Sequence, residues 1–427
     1  MRRWSLLLCA LTSLGWVPQG RAGAGAGAEA EAGAGGEFSD LEHPAHRYTQ
    51  RTPRDRFTLL KPALESGQAI PGWASDKDFL VKLLNFLSVP ASSQMLVFST
   101  TSLQLSLISP ANPRAIYFSE DLYVGYVPGG RMEIIGLDPE LGGIYHIFDL
   151  PQEQRGVRVE RSERCMKCHA GAETGHVPGL VIKSVVPGPG GGSLTAYRLE
   201  QTGHAVPFAD RFGGWHVTGR HSITQHWGNL TGQLAAGKLT TVPNPPGVRF
   251  DFERYPVAGS DILPQLLLEH QVGFVNRVVG ASYRARFAAH AGNGRLTSAQ
   301  ATELDEQAGL ITRYLLFAEE APLPAGGVEG DALFKAEFLQ TSRAVHGASL
   351  KEFDLRTRLF KHRCSYMIYS PVFTGLPAAM KERVYRRLDT ALRVGQADPD
   401  YAYLPPAEKQ AIRGILRGTL GDLPRGW

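Results

Sequence analysis

The chain is expected to fold as an α+β protein, a β-rich first half followed by a helical second half. Three observations predict this. Between Gln94 and Arg198, short apolar runs rich in Val, Ile, Tyr and Phe are separated by Gly- and Pro-bearing breaks. After Ser260, apolar residues recur at the spacing of a helix. The two patterns are segregated along the chain rather than alternating, which argues against a parallel α/β layout.

Taken in order, residues 1–22 read as a secretory signal peptide, with cleavage expected after Ala22. Arg2 and Arg3 precede an apolar core from Trp4 to Val17, shorter than the ~18 residues that a membrane span requires. Cys9 lies too early in that core to be a lipid-attachment cysteine. Residues 23–37, rich in Gly, Ala and Glu, have nothing to bury and are expected to form a disordered tether. No later segment offers a long uncharged apolar run, since Leu263 to Val279, which comes nearest, is interrupted by Glu269, His270 and Arg277, so no integral membrane segment is expected after cleavage. An exported, periplasmic location follows from the leader.

Residues 38–255 are expected to form the β-rich region, with an early helix over Asp76–Leu87 capped by Ser75. MLVFST, RAIYFS, DLYVGYV, RMEIIG, IYHIFDL, LVIKSVV and SLTAYRL predict strands, with turns at Val127-Pro128-Gly129-Gly130 and over Pro187–Ser193. Residues 203–255 read as irregular. Residues 256–427 are expected to be helical and packed on the first region. Leu263, Leu267, His270 and Phe274 form one apolar stripe. Leu304, Ala308, Ile311 and Leu315 form the next, with Thr297 or Ser298 as cap. Further helices are predicted at Ala332–Ser342, Leu350–Phe360, Pro377–Val394 and Pro406–Leu416.

The net charge is +4, and removal of Arg2, Arg3 and Arg21 with the leader leaves about +1. A nearly neutral body with no basic run excludes a nucleic-acid binder working through its field. The chain has no G-x-S-x-G, Walker A or H-E-x-x-H motif.

Cys165, Cys168 and His169, in RSERCMKCHAG, form C-x-x-C-H. Two thiols three residues apart can each add to one vinyl group of a porphyrin, and the following His supplies the proximal iron ligand. At average composition such a run arises by chance in about one chain in a thousand of this length. One covalent haem c is therefore the expected cofactor. A structural zinc would need four ligands, and only Cys364 remains as a further mature cysteine. A thioredoxin-type pair would need a helix opening at the first Cys within a βαβ unit, whereas RVERSER and AGAETG read as loop. A local disulfide is the remaining alternative. Cys364, in KHRCSYMIYS, is expected to be a buried small hydrophobe, the alternative being a thiol activated by Lys361, His362 and Arg363.

The opposite axial position is open to several candidates. No Met lies between Met166 and Met367, and Met95 and Met132 fall on predicted strands. FADRFGGWHVTGRHSITQHWGN holds His216, His221 and His226, of which His226 and then His221 are the preferred distal ligands. His270 is the rival on an apolar stripe, His176 is too near His169 in the chain, and the face of His146 is unassigned.

NPRAIYFSEDLYVGYV, CMKCH, FGGWHVTG with HWGNL, SDILPQLLLEHQ and FDLRTRLFKHRCSYMIYS together resemble a family of exported bacterial proteins, uncharacterised in activity, with a single c-type haem motif. The likeness spans residues 112 to 370 and implies that strands, motif, His-rich stretch and helices form one unit. At the position of His216 that family carries an aromatic residue, while His221 and His226 match its pattern. The expected function is single-electron transfer with unidentified redox partners. The alternatives are a peroxidase-like haem oxidoreductase with a distal pocket, or a haem-based ligand sensor.

Overall fold

A computed structural model describes residues 38–152, 156–194, 202–395 and 398–427. The leader, the tether and residues 195–199 of the expected SLTAYRL strand lie outside these. Both helices and strands are present, so the α+β class holds.

Two helices open the described chain. The first, α1 (Arg56–Glu65), is capped by Asp55, whose carboxylate accepts from the Thr58 amide. It was not expected, because its interior holds Pro62, a helix-breaking signal. The second, α2 (Asp76–Phe86), begins where Ser75 accepts from the Asp78 amide, as the sequence predicts.

A six-stranded antiparallel meander follows: β1 (Met95–Val97), β2 (Arg114–Phe118), β3 (Leu122–Tyr126), β4 (Met132–Asp138), β5 (Gly142–Phe148) and β6 (Glu160–Arg161). Successive residues of a strand face opposite ways. One face, carrying Leu96, Tyr117, Val124, Ile134 and Phe148, is sealed by Phe57 and Leu64 of α1 and by Phe79, Leu80 and Leu83 of α2. On the other face, Phe118, Tyr123 and Leu137 are buried in the core built by the helical half. Ile116, Ile135, Arg114 and Glu133 lie on that same face and are only half-buried.

LVIKSVV is not a ladder strand. Residues 178–185 instead cross the second face in extended form. Pro178 accepts from the Gly143 amide on β5, and Tyr145 Oη donates to Gly179 O at 2.7 Å. At the far end, Lys183 O accepts from Trp215 Nε1 and the Val185 amide donates to Gly213 O, beside β1.

The stretch read as irregular contains a hairpin, β7 (Leu230–Ala235) with β8 (Lys238–Pro243). Ala236 and Gly237, both at positive φ, make its two-residue turn. Its side chains are mostly exposed, which removes the apolar alternation that would have marked it. A single helical turn, α3 (Met166–His169), follows the sheet, and the helical half is then led by α4 (Ile262–Ala291), capped by Asp261 and buried at every residue from Ile262 to Val275. Helices buried all round are central ones. Then come α5 (Ser298–Leu315), α6 (Ala332–Gln340), α7 (Pro371–Thr374), α8 (Ala378–Ala391) and α9 (Pro406–Thr419). Thr297 caps α5 in a capping box with Gln300. The helix expected over Leu350–Phe360 does not form. Asp354 takes the amides of Arg356 and Thr357 on its carboxylate, and Leu355 sits at φ 58°.

Phe38–Trp427 make up one compact unit, so the two expected regions share a core. Among the described residues, no helix is long and apolar enough to cross a membrane.

Candidate functional site

The motif follows the short edge strand β6. A 3-10 turn, Glu163–Cys165, runs straight into a single α-helical turn, Met166–His169, so the stretch read as loop is helical. Here the backbone of this turn is closed by the Ala170 amide on Met166 O, at 2.9 Å. Helical spacing puts Cys165 and Cys168 one turn apart on a common face, with His169 beside them. Met166 packs against the cluster of Tyr48, Leu141 and Ile144, while the His169 ring lies 4.8 Å from that of Tyr145. Ile144 and Tyr145 are consecutive on β5, so the turn grips both sides of one strand.

Neither motif cysteine is in a disulfide: Cys165 is half-buried and Cys168 exposed. Burial pushes the Cys165 thiol up, opposed by a hydrogen bond from Ser162.

His169 is held by a two-bond clasp with Gly179. The Gly179 amide donates to His169 O at 2.9 Å, and His169 Nδ1 lies 3.0 Å from Gly179 O. A carbonyl only accepts, so Nδ1 carries the proton and Nε2 keeps its lone pair. No hydrogen bond engages Nε2 among the described residues. Burial holds the ring pKa at about 4, so the imidazole is neutral at neutral pH, as a metal ligand must be. Gly179 must be glycine for this clasp, since a Cβ there would lie 2.4 Å from Asn276 Oδ1. The Asn276 side-chain amide brackets Leu180 from α4, accepting from its amide at 2.8 Å and donating to its carbonyl at 2.9 Å. Two unpaired thiols and a neutral imidazole with a fixed tautomer match the donor set a covalent haem requires.

Sequence spacing could locate Cys165, Cys168 and His169 but not Gly179, Tyr145 or Asn276. These converge only through the turn at 170–178 and the packing of α4. Nor could it find the Arg114–Glu133 ion pair (2.5 Å) on the adjacent sheet face, whose charges act on both Cys165 and His169.

The remaining histidines are placed elsewhere. His221 and His226 lie together, ring centroids 5.7 Å apart. The chain at His221 bridges Val328, and Thr218 just before it pairs with Asp261 at the start of α4. Asn276, which secures the His169 anchor, is fifteen residues further along that helix, about 22 Å at 1.5 Å per residue. The contacts at His221 thus gather near the start of the long helix, whereas those that secure His169 gather beside Asn276 in its second half.

His270 is wholly buried, with Nδ1 2.8 Å from His204 Nδ1 and Nε2 2.7 Å from Ser365 Oγ, so both its nitrogens are engaged within the core. His216 is wedged between Phe98 and Phe250. His146 points to the α1 side against Phe57, opposite to Tyr145. His176 is exposed. Cys364 is fully buried and burial pushes its thiol far up, while Arg363 pairs with Glu408 and Lys361 with Glu352 rather than surrounding it. Among the described residues, no three His, Cys, Asp or Glu side chains converge as a metal site.

No family model, curated protein or solved structure matches the chain.

Proposed function

We propose that the protein is an exported monohaem c-type cytochrome passing single electrons, with haem attached at Cys165 and Cys168 and His169 as proximal ligand. The observation that carries this reading is the His169–Gly179 clasp beside two unpaired thiols on one helical turn. Such a clasp orients the imidazole and fixes its tautomer before any metal arrives. The likeness of residues 112 to 370 to exported proteins with one c-type haem motif supports the same reading. When bound, the haem would supply a one-electron couple. The chain's own part is to hold the ring of His169 against Tyr145, keep it neutral, and bury its Nδ1 side.

Expression beside a cytochrome c maturation system tests it. The wild type should give a haem-staining band on a denaturing gel and an intact mass of polypeptide plus one haem. Cys165→Ser/Cys168→Ser should lose both. Colourless wild-type material of bare polypeptide mass would sink the assignment.

A second reading, a peroxidase-like oxidoreductase open to small molecules on the far side of the iron, is supported by the contacts of His221 with Val328 and with the neighbouring His226 rather than with the motif turn. On either reading, His226→Ala should leave the visible absorption of the loaded protein unchanged. A changed spectrum would restore His226 as the distal ligand. A high-spin ferric spectrum that responds to cyanide or peroxide would select the oxidoreductase.

A further inference from the structure

The second face of the sheet has a covered half and an open half, and the open half adjoins the motif turn. Its floor is Ile116 of β2 and Ile135 of β4, with Gly125 of β3 lying under the Arg114 side chain; Ile116 pairs with Gly125, and Ile135 with Tyr145. Tyr145 is the ring on which His169 rests. One side wall is the extended crossing of residues 178–185, with Ile182 half-buried. The end wall is the β1–β2 connection, which Ser102 and Gln104 tie to Glu133 at 3.0 and 3.1 Å. That connection holds Leu103, Leu105 and Leu107 out in solvent, at 42, 57 and 37% exposure. From β2 to β5 the floor spans about 14 Å, three strand spacings, the scale of a porphyrin.

Three exposed leucines beside two half-buried isoleucines, which also pack against the main core, form an apolar surface still partly open to solvent. Within it lies a charged pair, Arg114–Glu133, with only 18 and 16% of its side-chain surface exposed and with Arg114 Nε buried and unpartnered. The guanidinium lies flat against Gly125, where a Cβ would come within 2.5 Å of Arg114 Nη2.

We propose that this half-face is the seat of the haem, with Ile116 and Ile135 beneath the macrocycle, the Leu103–Leu107 connection closing over it, and Arg114, which covers Gly125, engaging a propionate. The inference rests on haem attachment at Cys165 and Cys168, the reading given above. It accounts for the partial exposure of Ile116 and Ile135 on the face next to the motif.

The test uses the haem-loaded full chain. Ile135→Glu and Arg114→Gln should keep the haem-staining band, since the thiols are intact, yet lose most of the Soret circular dichroism of the wild type. Leu59→Glu, on the exposed side of α1, should keep it. Hydrogen exchange supplies a measurement that needs no substitution in the face. Loaded wild type, compared with Cys165→Ser/Cys168→Ser, should show added protection across residues 102–108 and 114–135. Unchanged dichroism in both variants, or protection confined to 162–180, would overturn the seat while leaving attachment standing. Absence of haem from the wild type would overturn the attachment reading itself.

Discussion

Lowering the pH from 6.5 to 4.5 should unfold the haem-free chain, with stability falling by several kcal/mol over that window. Among the described residues, five histidines outside the motif are at most 3% exposed: His46, His146, His204, His216 and His270. Burial holds His46 and His216 at about 4, His146 and His204 at about 3, and His270 well below its usual value. Each is neutral in the folded chain but protonates near 6.5 once unfolded. Their contribution is therefore present above pH 6.5 and is lost as the pH falls toward 4 and 3. At about 1.4 kcal/mol per pH unit, each of the first four is worth roughly 3–5 kcal/mol. Glu269 and Glu320 act in the opposite sense, because burial pushes both up to about 7. Their protonation in the folded state adds up to about 3 kcal/mol each as the pH falls from 7 to 4.5. Burial also raises Asp55 and Asp261, which join the opposing side, and lowers His221, His226 and His362, which join the histidines, so acid destabilisation dominates. Urea midpoints of Cys165→Ser/Cys168→Ser, followed by far-ultraviolet dichroism, should drop steeply between pH 6.5 and 5. A flat profile there would contradict the burial of these rings.

His169→Ala should separate covalent attachment from iron ligation. Both thiols remain, so the haem-staining band should persist, while the native absorption spectrum loses its wild-type form. Added imidazole, free to enter the vacated space, should restore it. The fold itself should lose only about 1 kcal/mol, the worth of one side-chain hydrogen bond, because the backbone half of the clasp, Gly179 amide to His169 carbonyl, survives. A spectrum identical to wild type would remove His169 from the iron.

Much of the fold was legible, and the failures have physical causes. RAIYFS, DLYVGYV, RMEIIG and IYHIFDL became β2 to β5 because each has a face to bury. The caps at Ser75 and Thr297 were readable because a hydroxyl before an apolar run has one good use. LVIKSVV is as apolar as any strand, yet its hydrogen-bond partners are the Asn276 side chain, residues 213–215 and Leu194 rather than a neighbouring strand. Asp354 outbid an apolar stripe for the amides of its own turn. In the site, Cys165, Cys168 and His169 declare themselves by spacing, whereas nothing in the spacing of His221 and His226 fixes where they lie. Their stretch meets Val328 and the start of α4 through bridges that no local pattern foretells.

The half-burial of Cys165 has a bearing on biogenesis. A thiol must ionise and meet its vinyl partner to react, and the finished fold hinders both by enclosing the sulfur and raising its proton affinity. During synthesis, by contrast, residues 165–169 leave the ribosome a hundred residues ahead of Asn276, the side chain that later secures the anchor. On the proposed reading the newly translocated chain is thus the competent substrate for the attaching enzyme, and premature folding competes with maturation.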